Sequence, residues 1–393
     1  MEVGSGKLEA LRDIWKLPTP YFPLSTITTI HYYYIHMNKS TKRKYALLLF
    51  LPLLVFSSCR NDDNGSDPDP ITSFDNGIFI TNTDSEVSAN GSLSYYDRDR
   101  DEVVNDIYLG KNSVPLGSNV YSVYVYNSKA YIVVADAGKV VVVDAVSMEL
   151  EATIDGFDLP HHFLPVGNGK AYVSQWGADG VTGSIKVVDL NSNTIINTIP
   201  TRGGPEQMLK RGNEVYVANS GGFLIDSVVT VINTSSEQVS SLIDVELVPQ
   251  SLQLDKNSEI WVLCRGLIDF QNPNNDRDGA LIKLANDQVL LSIPVAASAS
   301  DLVINNTRDI LYFLNPVAAS WTFEHPITAT SLNQAPFIDL SISHLGYDSE
   351  TDLLIGADIK NAQVNGDFIL FDSNGDESAR FEVGIGPSGF WAE

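Results

Sequence analysis

Short apolar runs recur along the chain from residue 77 onward, with starts separated by 41 to 52 residues. They are rich in β-branched and aromatic residues, and no long stretch shows a helical period, so each run predicts a β-strand. Most are followed by a second and a third run, as in Val140–Asp144 and Glu151–Ile154. The leading runs begin at Gly77, Lys129, Lys170, Glu214, Glu259, Asp309 and Asp352.

A four-stranded unit of about forty to forty-five residues that repeats along a chain is typical of a β-propeller. Seven such units predict an all-β, seven-bladed β-propeller over residues 77–393. The first unit lacks its innermost strand, whereas the last carries a surplus segment, Gly386–Glu393, that matches the start of the unit at Gly204. We therefore expect the C-terminal strand to pair into the first blade, which closes the ring and removes both open edges.

The loops at the two faces of the predicted ring differ. If strands A to D run outward from the channel, the D–A and B–C loops share one face, termed the upper face, and the A–B and C–D turns share the lower face. The B–C loops are long and dissimilar, among them residues 265–278 and 315–325, which favours the upper face for binding. The C–D turns are short and open with Asp or Asn in five blades; side-chain-to-backbone turn bonds explain this more simply than calcium, although 372–377 resembles a calcium loop.

Counting back from strand B in six of the seven units gives one residue each that should rim the upper end of the channel. This ring comprises Tyr121, His162, Gln207, Ser251, Asp301 and His344. Aromatic residues of the B–C loops, including Phe323, offer flat apolar surface nearby, and histidines offer hydrogen bonds. The alternatives are aromatic residues that cap their own blade and histidines that bond neighbouring strands. The candidate ligand-binding residues are Tyr121, His161, His162, Gln175, Trp176, Gln207, Phe270, Trp321 and His344.

A processing site precedes the repeats. The apolar run Tyr45–Phe56 is too short to span a bilayer comfortably, and it follows the basic segment Lys39–Lys44. This pattern predicts a signal peptide over residues 37–58. Cys59 stands in place of an ordinary cleavage site and resembles the lipidated cysteine of a bacterial lipobox. Residues 1–36 are then a mis-called start, the alternative being a cytoplasmic extension.

Residues 59–76 form the predicted lipidated tether, whose polar composition is typical of a disordered linker. The pair Asp62 and Asp63 resembles the signal that exports Bacteroidetes lipoproteins to the outer face of the outer membrane, the alternative being a tether that is merely acidic. We expect an outer-membrane protein exposed at the cell surface that contacts the membrane through its lipid anchor only.

Charge and motifs exclude several functions. Residues 59–393 carry 18 basic and 46 acidic residues, an excess that disfavours nucleic-acid binding. Cys264 ends an apolar run and is expected to be a buried thiol. The chain has no nucleophile elbow, phosphate-binding loop or H-E-x-x-H motif, and no Cys/His pattern at zinc spacing. We therefore predict no enzymatic activity, no metal and no cofactor.

The strand motifs, as in Glu214–Asn219 followed by Val229–Asn233, resemble those of YncE-like seven-bladed propellers. With the lipobox and the acidic tether, the resemblance extends to the YncE-like surface lipoproteins of Bacteroidetes. It implies capture of a nutrient, with a corrinoid (vitamin B12 and relatives) among the candidate ligands, for a TonB-dependent transporter of the outer membrane. A protein-interaction or surface-layer module is the main alternative, and a propeller lactonase or lyase is a third.

Overall fold

Seven antiparallel sheets surround one central channel, so the predicted seven-bladed β-propeller is confirmed. The computed structural model describes residues 71–83, 90–317, 319–361 and 363–392. The predicted signal peptide, Cys59 and all of the tether before residue 71 lie outside these residues. Within them, no helix is long and apolar enough to span a membrane.

The strands are numbered β1 to β27 in chain order, and each set below runs from blade 1 to blade 7. Strand A is β27 (Pro387–Ala392), β4 (Val120–Tyr126), β8 (Pro160–Gly167), β12 (Pro205–Arg211), β16 (Pro249–Leu254), β20 (Ser300–Ile304) and β23 (His344–Asp348). Strand B is β1 (Gly77–Asn82), β5 (Lys129–Val134), β9 (Lys170–Gln175), β13 (Glu214–Asn219), β17 (Ile260–Cys264), β21 (Ile310–Pro316) and β24 (Leu353–Asp358).

Strand C is β2 (Ser92–Asp97), β6 (Lys139–Asp144), β10 (Ser184–Asp189), β14 (Val228–Asn233), β18 (Gly279–Ala285), β22 (Ser320–Pro326) and β25 (Asn365–Phe371). Strand D of blades 1 to 5 and blade 7 is β3 (Glu102–Val104), β7 (Leu150–Asp155), β11 (Thr194–Pro200), β15 (Gln238–Asp244), β19 (Gln288–Val295) and β26 (Glu377–Ile385). A short helix α1 (Ile107–Asn112) leads into blade 2, and a 3₁₀ turn (Pro273–Asn275) lies in a loop of blade 5.

The middle strands are apolar on both faces because each blade is covered by a neighbour on either side. In β5, Tyr131 and Val133 pack into the cluster shared with blade 3, whereas Ile132 and Val134 pack into the cluster shared with blade 1. Seven such clusters fill the seven blade interfaces. Side chains still alternate with period 2, but both sides are core, so the runs read as continuously apolar.

The ring closes as predicted. Strand β27 pairs antiparallel with β1, and Phe79 lies opposite Trp391. A charged contact fastens the same joint on the lower face. Arg98, in the C–D turn of blade 1, donates two hydrogen bonds to Asp348 of blade 7, at 3.0 and 2.7 Å, and lies 2.8 Å from Glu350. The first and last blades are therefore held together by both backbone pairing and charge.

Blade 6 departs from the four-stranded expectation. Within residues 319–361, the chain after β22 forms no fourth strand and returns to the blade only through a bridge between Thr322 and Ile338. The prediction of a long B–C loop over 315–325 is wrong, because β21 and β22 form a tight hairpin that pairs Asn315 with Trp321. Phe323 is consequently 2% exposed and belongs to the core between blades 5 and 6.

The lower-face turns follow the expected side-chain chemistry. Asp144 Oδ1 accepts hydrogen bonds from the backbone N–H groups of Val146 and Ser147, and Asp372 Oδ1 accepts from those of Asn374 and Asp376. These bonds give a local reason for the acidic residue that opens each turn. The thiol of Cys264 is fully buried, as predicted.

We expect Arg98→Ala to lower the free energy of unfolding by about 3 kcal/mol, because it leaves the buried Asp348 carboxylate without its cation. Urea denaturation at neutral pH measures the change. Arg308→Ala is the matched control, since the Arg308 side chain is exposed and forms no ion pair with any described residue. Equal stability of the two variants would contradict a fastening role for Arg98.

Candidate functional site

The central channel holds a cavity of about 810 Å³ lined by all seven strands A. Its upper part is polar, whereas Tyr124, Leu164, Val303 and Trp391 make the lower part apolar and aromatic. The structure brings every member of the predicted ring to the cavity wall. These residues are Tyr121, His162, Gln207, Ser251, Asp301 and His344.

A repeated backbone hydrogen bond positions the ring. The residue before or at the start of strand A has a positive φ in several blades, including Leu159 (51°) and Val248 (60°). The Leu159 carbonyl accepts from Trp176 N, and the Val248 carbonyl accepts from Arg265 N, so each D–A loop is tied to the end of strand B. Leucine and valine rarely adopt a positive φ, which glycine adopts easily. In these two blades, the hydrogen bond to strand B therefore helps to hold the strained residue in place.

A buried carboxylate lies beneath one side of the ring. Glu206 is 5% exposed, and its Oε2 lies 3.0 Å from His161 Nδ1 and accepts a bond of 3.2 Å from Tyr121 Oη. Its Oε1 accepts a bond of 3.0 Å from Ser220 Oγ. Burial alone would favour the neutral acid, but His161, together with His162 and the bond from Ser220, outweighs burial and lowers the pKa of Glu206 below its ordinary value. The carboxylate is therefore charged and already occupied by donors.

The two ring histidines have opposite properties. Burial lowers the pKa of His162 to about 4, although Glu206 opposes the shift, so the imidazole is neutral near pH 7. Its ring nitrogens have no hydrogen-bond partner in the part of the chain that the structure describes. His344 Nδ1 lies 3.2 Å from Asp301 Oδ2. Burial opposes protonation there too, but Asp301 raises the pKa of His344 above its ordinary value.

Gln207 and Asp301 also connect neighbouring blades. The Gln207 Oε1 accepts a hydrogen bond of 2.6 Å from Leu252 N in blade 5, and the Asp301 Oδ2 accepts one of 3.2 Å from Leu345 N in blade 7. Both side chains line the cavity, so part of their bonding capacity is used by the scaffold.

Other candidates lie outside the cavity wall. Gln175 is buried, and its amide group bonds Asp158 N and Ser184 Oγ. Trp176 lies between the rings of His161 and Phe223, at centroid distances of 4.5 and 5.6 Å.

Two aromatic candidates on other blades are also away from the cavity. Phe270 is 87% exposed on the B–C loop of blade 5, and Trp321 packs against the core between blades 5 and 6. Their part in ligand binding stays a prediction.

The sequence reasoning missed Glu206 and Arg265. Glu206 directly follows the proline that starts strand A in blade 4, and His161 follows the corresponding proline in blade 3. Equivalent positions in adjacent blades are neighbours in a propeller, so this spacing was a signal for the pair. Among the described residues, no group of three His, Cys, Asp or Glu side chains is arranged to hold a metal ion.

The profile described as "Domain of unknown function (DUF5074)" matches residues 76–376, and the chain belongs to this family. No curated protein matches the sequence. A Bacteroides thetaiotaomicron quinonprotein alcohol dehydrogenase-like protein is similar, with a TM-score of 0.61 and 16% identity over 81% of this chain and 78% of that one. The periplasmic gluconolactonase of Pseudomonas aeruginosa gives 0.59 and 12% over 80% and 98%.

A putative 6-phosphogluconolactonase from Bacteroides fragilis gives a TM-score of 0.57 and 10% identity over 81% of this chain and 98% of that one. At these identities the likeness shows the propeller fold alone. The expected membership of the YncE-like lipoprotein group remains a resemblance.

We expect Glu206→Gln to lower the free energy of unfolding by about 3 kcal/mol at pH 7, because His161 loses its buried partner. The folded-state pKa of Glu206 is depressed, so its contribution is full above the unfolded value of about 4.3 and is lost as pH falls through the folded value. Urea denaturation at pH 7 and at successively lower pH measures the difference between the proteins. The exposed Glu102→Gln serves as control, and a difference that persists unchanged in acid would contradict the assignment.

Proposed function

We propose that this protein captures a corrinoid at the upper mouth of its channel, as a cell-surface lipoprotein that serves a TonB-dependent transporter of the outer membrane. The observation that carries the proposal is the neutral, unpartnered imidazole of His162 within a polar ring that opens into a cavity of about 810 Å³. This volume falls in the range of small-molecule sites, about 300–1,000 Å³.

His162 supplies the chemistry that a corrinoid would use. A neutral imidazole keeps a nitrogen lone pair, which can coordinate cobalt or accept a hydrogen bond from an amide group of the ligand. His344 differs, because the raised pKa and the contact with Asp301 commit its ring to an ion pair. In this proposal the corrin ring lies across the mouth with one substituent inside the channel.

Exposed apolar side chains lie on the B–C loops of the same upper face. Phe223, Leu224 and Ile225 of blade 4 are 44%, 53% and 45% exposed, and Phe270 of blade 5 is 87% exposed. They supply apolar surface for the body of a large ligand. They also favour the second candidate, a protein-docking module, since exposed apolar patches often mark protein interfaces.

The path of the chain is compatible with display of the mouth. Near the point where the described residues begin, Phe74 N donates a hydrogen bond to Val146 O in the C–D turn of blade 2. This turn is on the lower face, opposite the mouth. The described residues therefore enter the propeller on the face opposite the mouth.

We expect calorimetric titration of the lipid-free protein with cyanocobalamin and cobinamide to give one-to-one binding. His162→Ala should weaken it by roughly tenfold or more, because a desolvated contact is lost. Aquocobalamin adds a spectroscopic readout, since imidazole coordination to cobalt changes its absorption and His162→Ala would abolish that change. Glu102→Ala, on the lower face, should bind as the wild type does.

Absence of heat with both corrinoids would remove this ligand. The exposed apolar loops of blades 4 and 5 would then favour the protein-docking alternative.

A further inference from the structure

The polar side chains of the upper channel are mostly bonded to protein groups around blades 2 to 4, where His162 is the exception, and mostly unbonded around blade 5 and the start of blade 6. Around blades 2 to 4, Tyr121 and Ser220 donate hydrogen bonds to Glu206, and Ser122 donates one to the backbone carbonyl of His161. Around blade 5 and the start of blade 6, Gln253 and Asp301 are bonded to neighbouring blades, whereas five other cavity-lining polar side chains have no hydrogen-bond partner within the described ranges. These are Gln250, Ser251, Arg265, Ser298 and Ser300.

Arg265 stands out because it is the only Lys or Arg among the described residues that line the cavity. Its backbone is fixed on both sides: its N–H donates to Val248 O at 2.8 Å, and its carbonyl accepts from Ser298 N at 2.8 Å. Its side chain is exposed, and the guanidinium forms no ion pair or hydrogen bond with any residue that the structure describes. The protein has a net charge of −24, and most of the other basic side chains that the structure describes have acidic partners, as Arg98 and Arg380 do.

The groups without a protein partner are rich in donors, although hydroxyl and amide groups can also accept. A guanidinium has five N–H donors and no acceptor, and each serine adds a hydroxyl donor. Ser251, Ser298 and Ser300 come from strand A of blade 5, the following D–A loop and strand A of blade 6, so they border one part of the cavity together with Arg265. Such a set matches a group rich in acceptors and negative in charge.

The nearby acids do not neutralise this wall. Glu206 is occupied by His161, Tyr121 and Ser220, and Asp301 is occupied by His344 and Leu345 N. The acidic outer surface is more distant, and salt at physiological strength screens exposed charges beyond about 8 Å.

We propose that this wall, Arg265 with Ser251, Ser298 and Ser300, binds an oxyanion, a carboxylate or phosphate group of the captured ligand. The inference deepens the proposed function and rests on the channel mouth being the ligand site. For a corrinoid, the oxyanion would be the phosphate of the nucleotide loop, which cyanocobalamin has and cobinamide lacks.

The first test uses inorganic phosphate and acetate as probes, with chloride at equal ionic strength as reference. Thermal unfolding of the whole lipid-free protein should shift upward with phosphate or acetate concentration, because the anion binds only the folded state. The larger response identifies the oxyanion class. Arg265→Gln should remove the shift, whereas Arg308→Gln, an exposed arginine on the lower face, should retain it. No response to either anion, or an equal response in Arg265→Gln, would overturn the proposal.

The second test separates this inference from the corrinoid proposal. If corrinoids bind, Arg265→Gln should weaken cyanocobalamin roughly tenfold or more and leave cobinamide unchanged, because only the former loses a charge-assisted contact. Equal loss for both, or no loss for either, would contradict a phosphate contact. If no corrinoid binds but the Arg265-dependent anion response persists, the oxyanion site stands and the ligand is another oxyanion-bearing molecule.

Discussion

Burial of each blade between two neighbours is the constraint on which the rest of this structure depends. No sheet buries its faces by itself. Each of the seven core clusters is built from two adjacent blades, so both faces of a sheet are covered only by its neighbours. A ring with a gap would expose two apolar sheet faces and an open edge to water. The C-terminal strand β27, which completes blade 1, therefore stabilises every interface indirectly, and the Arg98–Asp348 contact acts at the same joint.

The closed ring also creates the candidate site. Equivalent positions of different blades, far apart in the chain, meet around one axis, so one substitution per blade is enough to change the chemistry of the mouth. In this chain those positions separate into a largely bonded half, centred on Glu206 and His161, and a half whose donors have no partner among the described residues, centred on Arg265. The bonded half fixes the geometry of the wall, and the other half retains capacity for a ligand.

The same fold occurs in a gluconolactonase and in a quinonprotein alcohol dehydrogenase-like protein. The fold by itself therefore does not identify the ligand. Function in this family has to be argued from the side chains at the mouth. His162 is neutral, Arg265 is charged, and both lack a hydrogen-bond partner among the described residues, so they are the strongest recognition groups that the mouth offers a ligand.

The sequence by itself determined the blade repeat, the closure by the C-terminal strand and the six ring positions, because period-2 patterning and regular spacing are local properties of the chain. It did not reveal that Gln175 and Phe323 are buried or that Phe270 is exposed, since those outcomes depend on how an adjacent strand or loop covers each side chain. Nor did it pair Glu206 with His161 or isolate Arg265. Contacts between blades decide which polar groups are satisfied, and only the tertiary structure sets those contacts.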